Sequence, residues 1–206
     1  MDTRAAHRTD QLMSDSTTHR PIDKIFAENL GLSYGGCVRD LANTLFNREV
    51  AQAAGVKLCP IPLLGGYEKR RMRAFWAANL QAIALWITVE RMPEFGDEKL
   101  LRKTLFNMQG FVDKALGRPI FSKLNPEDLE RYSQLRSHMT RVALQHGADK
   151  ESIARAFLAE LHQQSPESVP DSRVAATVTH IGMAAGLFIK LLNISLDSPN
   201  SWERAR

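Results

Sequence analysis

The stretch YEKRRMRAFWAANLQAIALWITVERM, residues 67–92, decides the fold: it holds no Gly or Pro, and from Ala74 to Val89 it carries no charge. A helix that is apolar nearly all round has no face to offer to water, so this one is expected at the centre of a helical protein. Pro93 disfavours helical backbone in the residue before it and ends the run. A second uncharged run, VAATVTHIGMAAGLFI at 174–189, falls in a last helix read from about Asp171 to Leu196. Arg173 and Lys190 bound it below the roughly 20 apolar residues that a membrane span needs, so both runs are read as helices of a soluble bundle.

Outward from these two runs the pattern stays helical. Pro21 suits a first helical turn, with Ile22, Ile25, Phe26 and Leu30 on one stripe, and Gly31 and the Gly35-Gly36 pair are expected to break that helix. A second helix is read from about Gly36 to Ala54, on Val38, Leu41, Ala42, Leu45 and Phe46. GVKLCPIPLLGG at 55–66 combines prolines, glycines and apolar side chains, which predicts an irregular loop that is packed down. Asp97 caps a fourth helix with Leu101, Leu105, Met108, Val112 and Leu116 inward, ending at Gly117. Asn125-Pro126-Glu127-Asp128 opens a fifth, with Leu129, Tyr132, Leu135, Met139 and Val142 inward until Gly147. Asp149 caps a sixth carrying Ile153, Phe157 and Leu161. No stretch alternates with period two, so the expectation is all-α: about seven helices in a single globular bundle with a central apolar hairpin-like pair. The domain is read over 21–197, between flexible tails at 1–20 and 198–206.

The chain has 206 residues, 44% hydrophobic and 24% charged, and only two cysteines. That composition excludes wholesale disorder and a disulfide-stapled miniprotein and favours a reducing, cytoplasmic compartment. The start, MDTRAAHRTDQLMSDSTTHR, lacks a signal-peptide hydrophobic region; its Ser/Thr-rich character also suits a type III secretion signal, so a secreted bacterial effector is a further reading.

The formal net charge is +4. Between Lys57 and Arg91 stand six cations and two acids, which accounts for the whole excess. Lys69, Arg70, Arg71 and Arg73 occupy the first turns of the third helix, where the macrodipole disfavours cations by roughly 0.3–1 kcal/mol each. A local rule broken four times marks a candidate contact for an anion or a nucleic acid, weighed against an exposed face that Glu68 partly compensates. Upstream, Val50-Ala51-Gln52-Ala53-Ala54-Gly55-Val56 resembles the first helix and turn of a helix-turn-helix DNA reader, over those seven residues only. Pro60 and Pro62 fall where the recognition helix of that motif should run and depart from it.

Cys37 follows two glycines at an expected helix start, where a positive dipole end would lower its pKa, and is a candidate reactive thiol; a buried structural thiol is the plainer reading. Cys59 is read as packing. Gly182 and Gly186 have the G-x-x-x-G spacing that lets helix backbones approach, either within the chain or as a homodimer seam. The sequence has no HExxH, ExxH, CxxC, EF-hand loop, P-loop or Rossmann fingerprint, and His138, His146 and His180 stand singly, so no metal, haem or other cofactor and no catalytic residue is expected. The leading expectation, from the absence of catalytic motifs, is a non-enzymatic helical protein acting through protein–protein contact, as a homodimer with the seventh helix or the apolar 56–64 loop as interface. A regulator binding nucleic acid or another anion through residues 69–73 is the alternative.

Overall fold

A computed structural model describes residues 24–45, 47–57, 66–91, 97–117, 124–147 and 149–197. All regular structure among them is helical: α1 Lys24–Leu45, α2 Arg48–Ala53, α3 Gly66–Glu90, α4 Glu98–Gly117, α5 Pro126–His146, α6 Lys150–His162, a 3₁₀ turn Pro166–Ser168, and α7 Asp171–Asp197. The expected tails, the stripe residues Ile22 and Phe46, and most of the 55–66 loop, with Cys59, lie outside the described residues.

The expected caps hold the starts of α4, α5 and α6. Asp97 accepts from the Lys99 amide at 2.7 Å, Asn125 from Asp128 at 2.7 Å, and Asp149 from Glu151 and Ser152 at 3.1 Å each. Gly147, at φ 51°, ends α5 in a conformation that side chains rarely adopt.

The first two helices differ from the expectation. Gly31, Gly35 and Gly36 do not break the chain; α1 runs unbroken through all three. A Cβ on Gly31 would stand 2.7 Å from both the Asn107 Cβ and the Thr104 carbonyl oxygen, and one on Gly35 would stand 2.3 Å from the Phe111 ring. These glycines are therefore where α1 and α4 press together, and that contact outweighs the roughly 1 kcal/mol by which each glycine weakens a helix. The break comes instead after Leu45, where the Asn47 side chain accepts from the Val50 amide at 2.8 Å and starts α2.

α3 is the central element, in contact with α1, α4, α5 and α7. Met72, Trp76, Asn79, Leu80, Ile83, Trp86 and Ile87 are all buried along it, as its composition requires. Of the expected inward residues, Leu30, Val38, Leu101, Met108, Val112, Tyr132, Leu135, Met139, Val142, Ile153, Phe157 and Leu161 are buried. Leu129 is not: it is among the exposed large hydrophobics. α3 and α5 run parallel: Tyr67 bonds Asp128 and Asn125 at one end, and Gly147 lies beside Trp86 and Glu90 at the other. Arg155 fixes the turn into α7 by donating to the Val169 carbonyl at 3.1 Å and pairing with Asp171 at 2.9 Å.

Candidate functional site

α7 meets the bundle with one face only. Val174, Thr177, Ile181, Ala184, Ala185, Phe188 and Leu192 recur every three or four residues and are buried against α1, α3 and α6. On the other side Met183 is 58% exposed, Leu187 42%, Ile189 41% and Ile194 48%. Gly182 and Gly186 sit between them on this outer face: a Cβ at Gly182 would come no nearer than 3.9 Å to the Lys150 ammonium, and one at Gly186 would meet nothing within 4 Å. The close approach that their spacing suggests is thus made elsewhere within the chain, by Gly31 and Gly35. From Val174 to Ile189 this helix carries no formal charge, and Lys190 is the first cation after it. By length and composition Asp171–Leu196 is long and apolar enough to cross a membrane.

Beside this face a groove of about 390 Å³ runs between α1 and α7, lined by Gly36, Cys37, Asp40, Leu187, Lys190 and Ile194 among others. Cys37 lies in the middle of α1, far from either end, so the dipole effect expected at a helix start is missing. Its thiol is instead pushed up to about 11, first by burial and then by the nearby Asp40 carboxylate. Such a thiol is overwhelmingly protonated at neutral pH and is a poor nucleophile there.

A second hollow, about 360 Å³, opens between α3, α4 and α5 over Gln81, Met108, Gln109 and Arg136. Its polar side chains satisfy one another. Gln81 donates to the Tyr132 hydroxyl at 2.8 Å, Tyr132 donates to Asp113 at 3.3 Å, and Arg136 donates to both Asp113 oxygens at 3.1 and 3.2 Å. With its amide oxygen turned towards Arg136, Gln109 accepts at 2.8 and 3.0 Å. Burial pushes the Tyr132 phenol up to about 12, with the Asp113 carboxylate adding to it. A phenol held so firmly protonated, next to a neutralised arginine, is a structural tie between helices. Sequence reasoning passed over this network because its members lie on three different helices and match no motif.

The four basic residues fill the first two turns of α3, as expected, but not as a solvated face. Lys69, Arg70, Arg71 and Arg73 are all half-buried, and among the described residues none forms an ion pair, with Glu68 or with any other acid. The Nε atoms of Arg70, Arg71 and Arg73 are shielded from water and have no hydrogen-bond partner. The α5 carboxylate of Asp128 accepts the Tyr67 hydroxyl proton in a short hydrogen bond, and that bond raises the Tyr67 phenol above its usual range.

Among the described residues no group of three or more His, Cys, Asp or Glu could hold a metal ion. His138 lies 3.7 Å from Glu160, His162 bonds the Ala54 carbonyl at 2.6 Å, and His180 bonds the Ala176 carbonyl at 2.7 Å and meets the Trp76 ring edge-on. The seven residues that resemble a helix-turn-helix form α2 and a turn through Gly55 at φ 78°, against which the Arg173 guanidinium packs. Where that motif would place its recognition helix lies mostly outside the described residues. Set against protein-family models, curated proteins and solved structures, the chain matches none of them.

Proposed function

We propose that this protein acts through protein–protein contact, as a homodimer joined along the outer face of α7. One observation carries the reading: an outward helix face that holds Met183, Leu187, Ile189 and Ile194 around two glycines, Gly186 with open space above it and Gly182 with only the Lys150 ammonium within 4 Å. Large exposed apolar side chains grouped on one helix mark an interaction surface, whereas singly scattered ones do not. A glycine in a helix that no neighbour approaches costs stability and gives nothing back within the monomer. Across a two-fold axis the same glycines let α7 lie close against its counterpart, with the flanking apolar side chains interlocking. The role is that of a structural or regulatory scaffold, with no reaction assigned.

Size-exclusion chromatography with light scattering tests this on the whole chain. The expected mass is twice the 23.1 kDa of one chain. Gly186→Leu, which fits the open space in the monomer, should give a folded, fully helical monomer, and so should Met183→Glu. A wild-type protein that runs as a monomer, or a Gly186→Leu protein that dimerises as before, overturns the reading.

A further inference from the structure

We infer that the start of α3 is a contact site for the phosphodiester backbone of a single-stranded nucleic acid, with Lys69, Arg70, Arg71 and Arg73 as its donors. The inference stands apart from the dimer reading and rests on different residues.

Surface cations ordinarily either extend into water or pair with acids. These four do neither: they are half-buried, and no described carboxylate pairs with them. A fifth cation joins them from α5. The Arg131 guanidinium lies 5.2 Å from the centre of the Phe75 ring, one helical turn beyond Arg71 on the same side of α3. Because α3 and α5 run parallel with their first turns side by side, two positive helix ends meet at this pole. Four acids share it: Glu68, Glu127, Asp128 and Glu130. Asp128 is occupied by Tyr67, and Glu130 accepts from Gln134 at 2.9 Å. Glu68 and Glu127 form no ion pair with the four cations among the described residues, so the donors of Lys69, Arg70, Arg71 and Arg73 stay unused, in surroundings drier than bulk water, where an anionic oxygen is bound more strongly.

The spread of the side chains selects the kind of anion. Lys69 and Arg73 stand one turn apart, about 6 Å along the axis, while Arg70 and Arg71 are rotated by about 100° and 200° from Lys69. No single phosphate reaches all four. A flexible chain of phosphates laid across the helix start does, and a single strand bends where a duplex does not. Nothing at this pole presents a base-reading pattern, so binding is expected to be independent of sequence.

Fluorescence anisotropy of a labelled mixed-sequence single-stranded oligonucleotide, titrated with full-length protein freed of nucleic acid in high salt, provides the test. Four phosphate contacts at about 0.7 released counterions each give a slope of roughly −3 for log affinity against log salt concentration. Arg73→Gln alone should make that slope shallower by about 0.7, and Arg73→Lys should restore it. Changing all four residues to Gln should lower low-salt affinity by about tenfold or more. Three outcomes overturn the proposal: no binding by wild type at low salt, a slope unchanged in Arg73→Gln, or binding to anionic phospholipid vesicles with none to the oligonucleotide. The wild-type slope needs no substitution, so the proposal stays exposed even if the fourfold variant fails to fold.

Discussion

Two amides two positions apart in α3, Asn79 and Gln81, look alike in the sequence and differ in the structure. Both are buried. Gln81 donates to the Tyr132 hydroxyl, fifty-one positions along the chain, at 2.8 Å. Asn79 is 0% exposed, and neither its nitrogen nor its oxygen has a partner. A buried polar group without a hydrogen bond costs about 1–3 kcal/mol, while a net hydrogen bond returns only about 1 kcal/mol. Asn79→Leu, which keeps the branching and the number of side-chain heavy atoms and removes the polar ones, should therefore stabilise the protein by about 1 kcal/mol or more, and Gln81→Leu should destabilise it by leaving Tyr132 short of a donor. Chemical denaturation midpoints read both. A loss of stability in Asn79→Leu would mean that the amide is satisfied after all. The uncharged run places both residues inside, but it says nothing of their partners, because those are set by which helix arrives alongside.

At the scale of the element, glycine has two meanings that sequence does not separate. In α1, Gly31 and Gly35 sit where α4 arrives and Gly36 faces open space, with nothing within 4 Å of an added Cβ. Gly36→Ala should stabilise α1 by about 0.5–1 kcal/mol, the ordinary gain from replacing a helical glycine. Gly31→Ala and Gly35→Ala should each destabilise, because the steric cost of overpacking, typically 1–3 kcal/mol, exceeds that gain. Thermal melts of the three variants decide it, and equal shifts in all three would refute a tight α1–α4 seam. Read from sequence, the three glycines mark a break, since a helix alone is weakened by each of them. The true break was legible in Asn47, a good capping residue two positions before Glu49. The caps at Asp97, Asn125 and Asp149 were legible for the same reason: a cap is local chemistry, and local chemistry is what a sequence displays directly.

For the whole molecule, the all-helical class and the centrality of α3 follow from periodicity and composition, because these record which surfaces must leave water. The candidate sites were legible only as residue types. That Lys69, Arg70, Arg71 and Arg73 lack acidic partners, and that Gly182 and Gly186 face outward, depend on how helices distant in sequence are arranged. The same arrangement ties the fold to alkaline pH. Burial pushes Tyr34 and Tyr132 up to about 12 from 10.0, the Thr88 hydroxyl offsetting part of the effect at Tyr34, and Cys37 up to about 11 from 9.0; Tyr67 is raised by its bond to Asp128. All four groups hold their protons more tightly folded than unfolded. Across the interval from about pH 9 to about pH 12 the native state therefore binds more protons than the unfolded chain, and stability falls as pH rises through it, while below that interval these groups have no effect. The chain has three tyrosines in all, and each is raised. Phenolate absorbance should thus stay low through the range where free tyrosine ionises, then appear together with the loss of far-ultraviolet circular dichroism. Tyrosines that ionise near their ordinary pKa in a protein still fully helical would show that Tyr34 and Tyr132 are not sealed in the core.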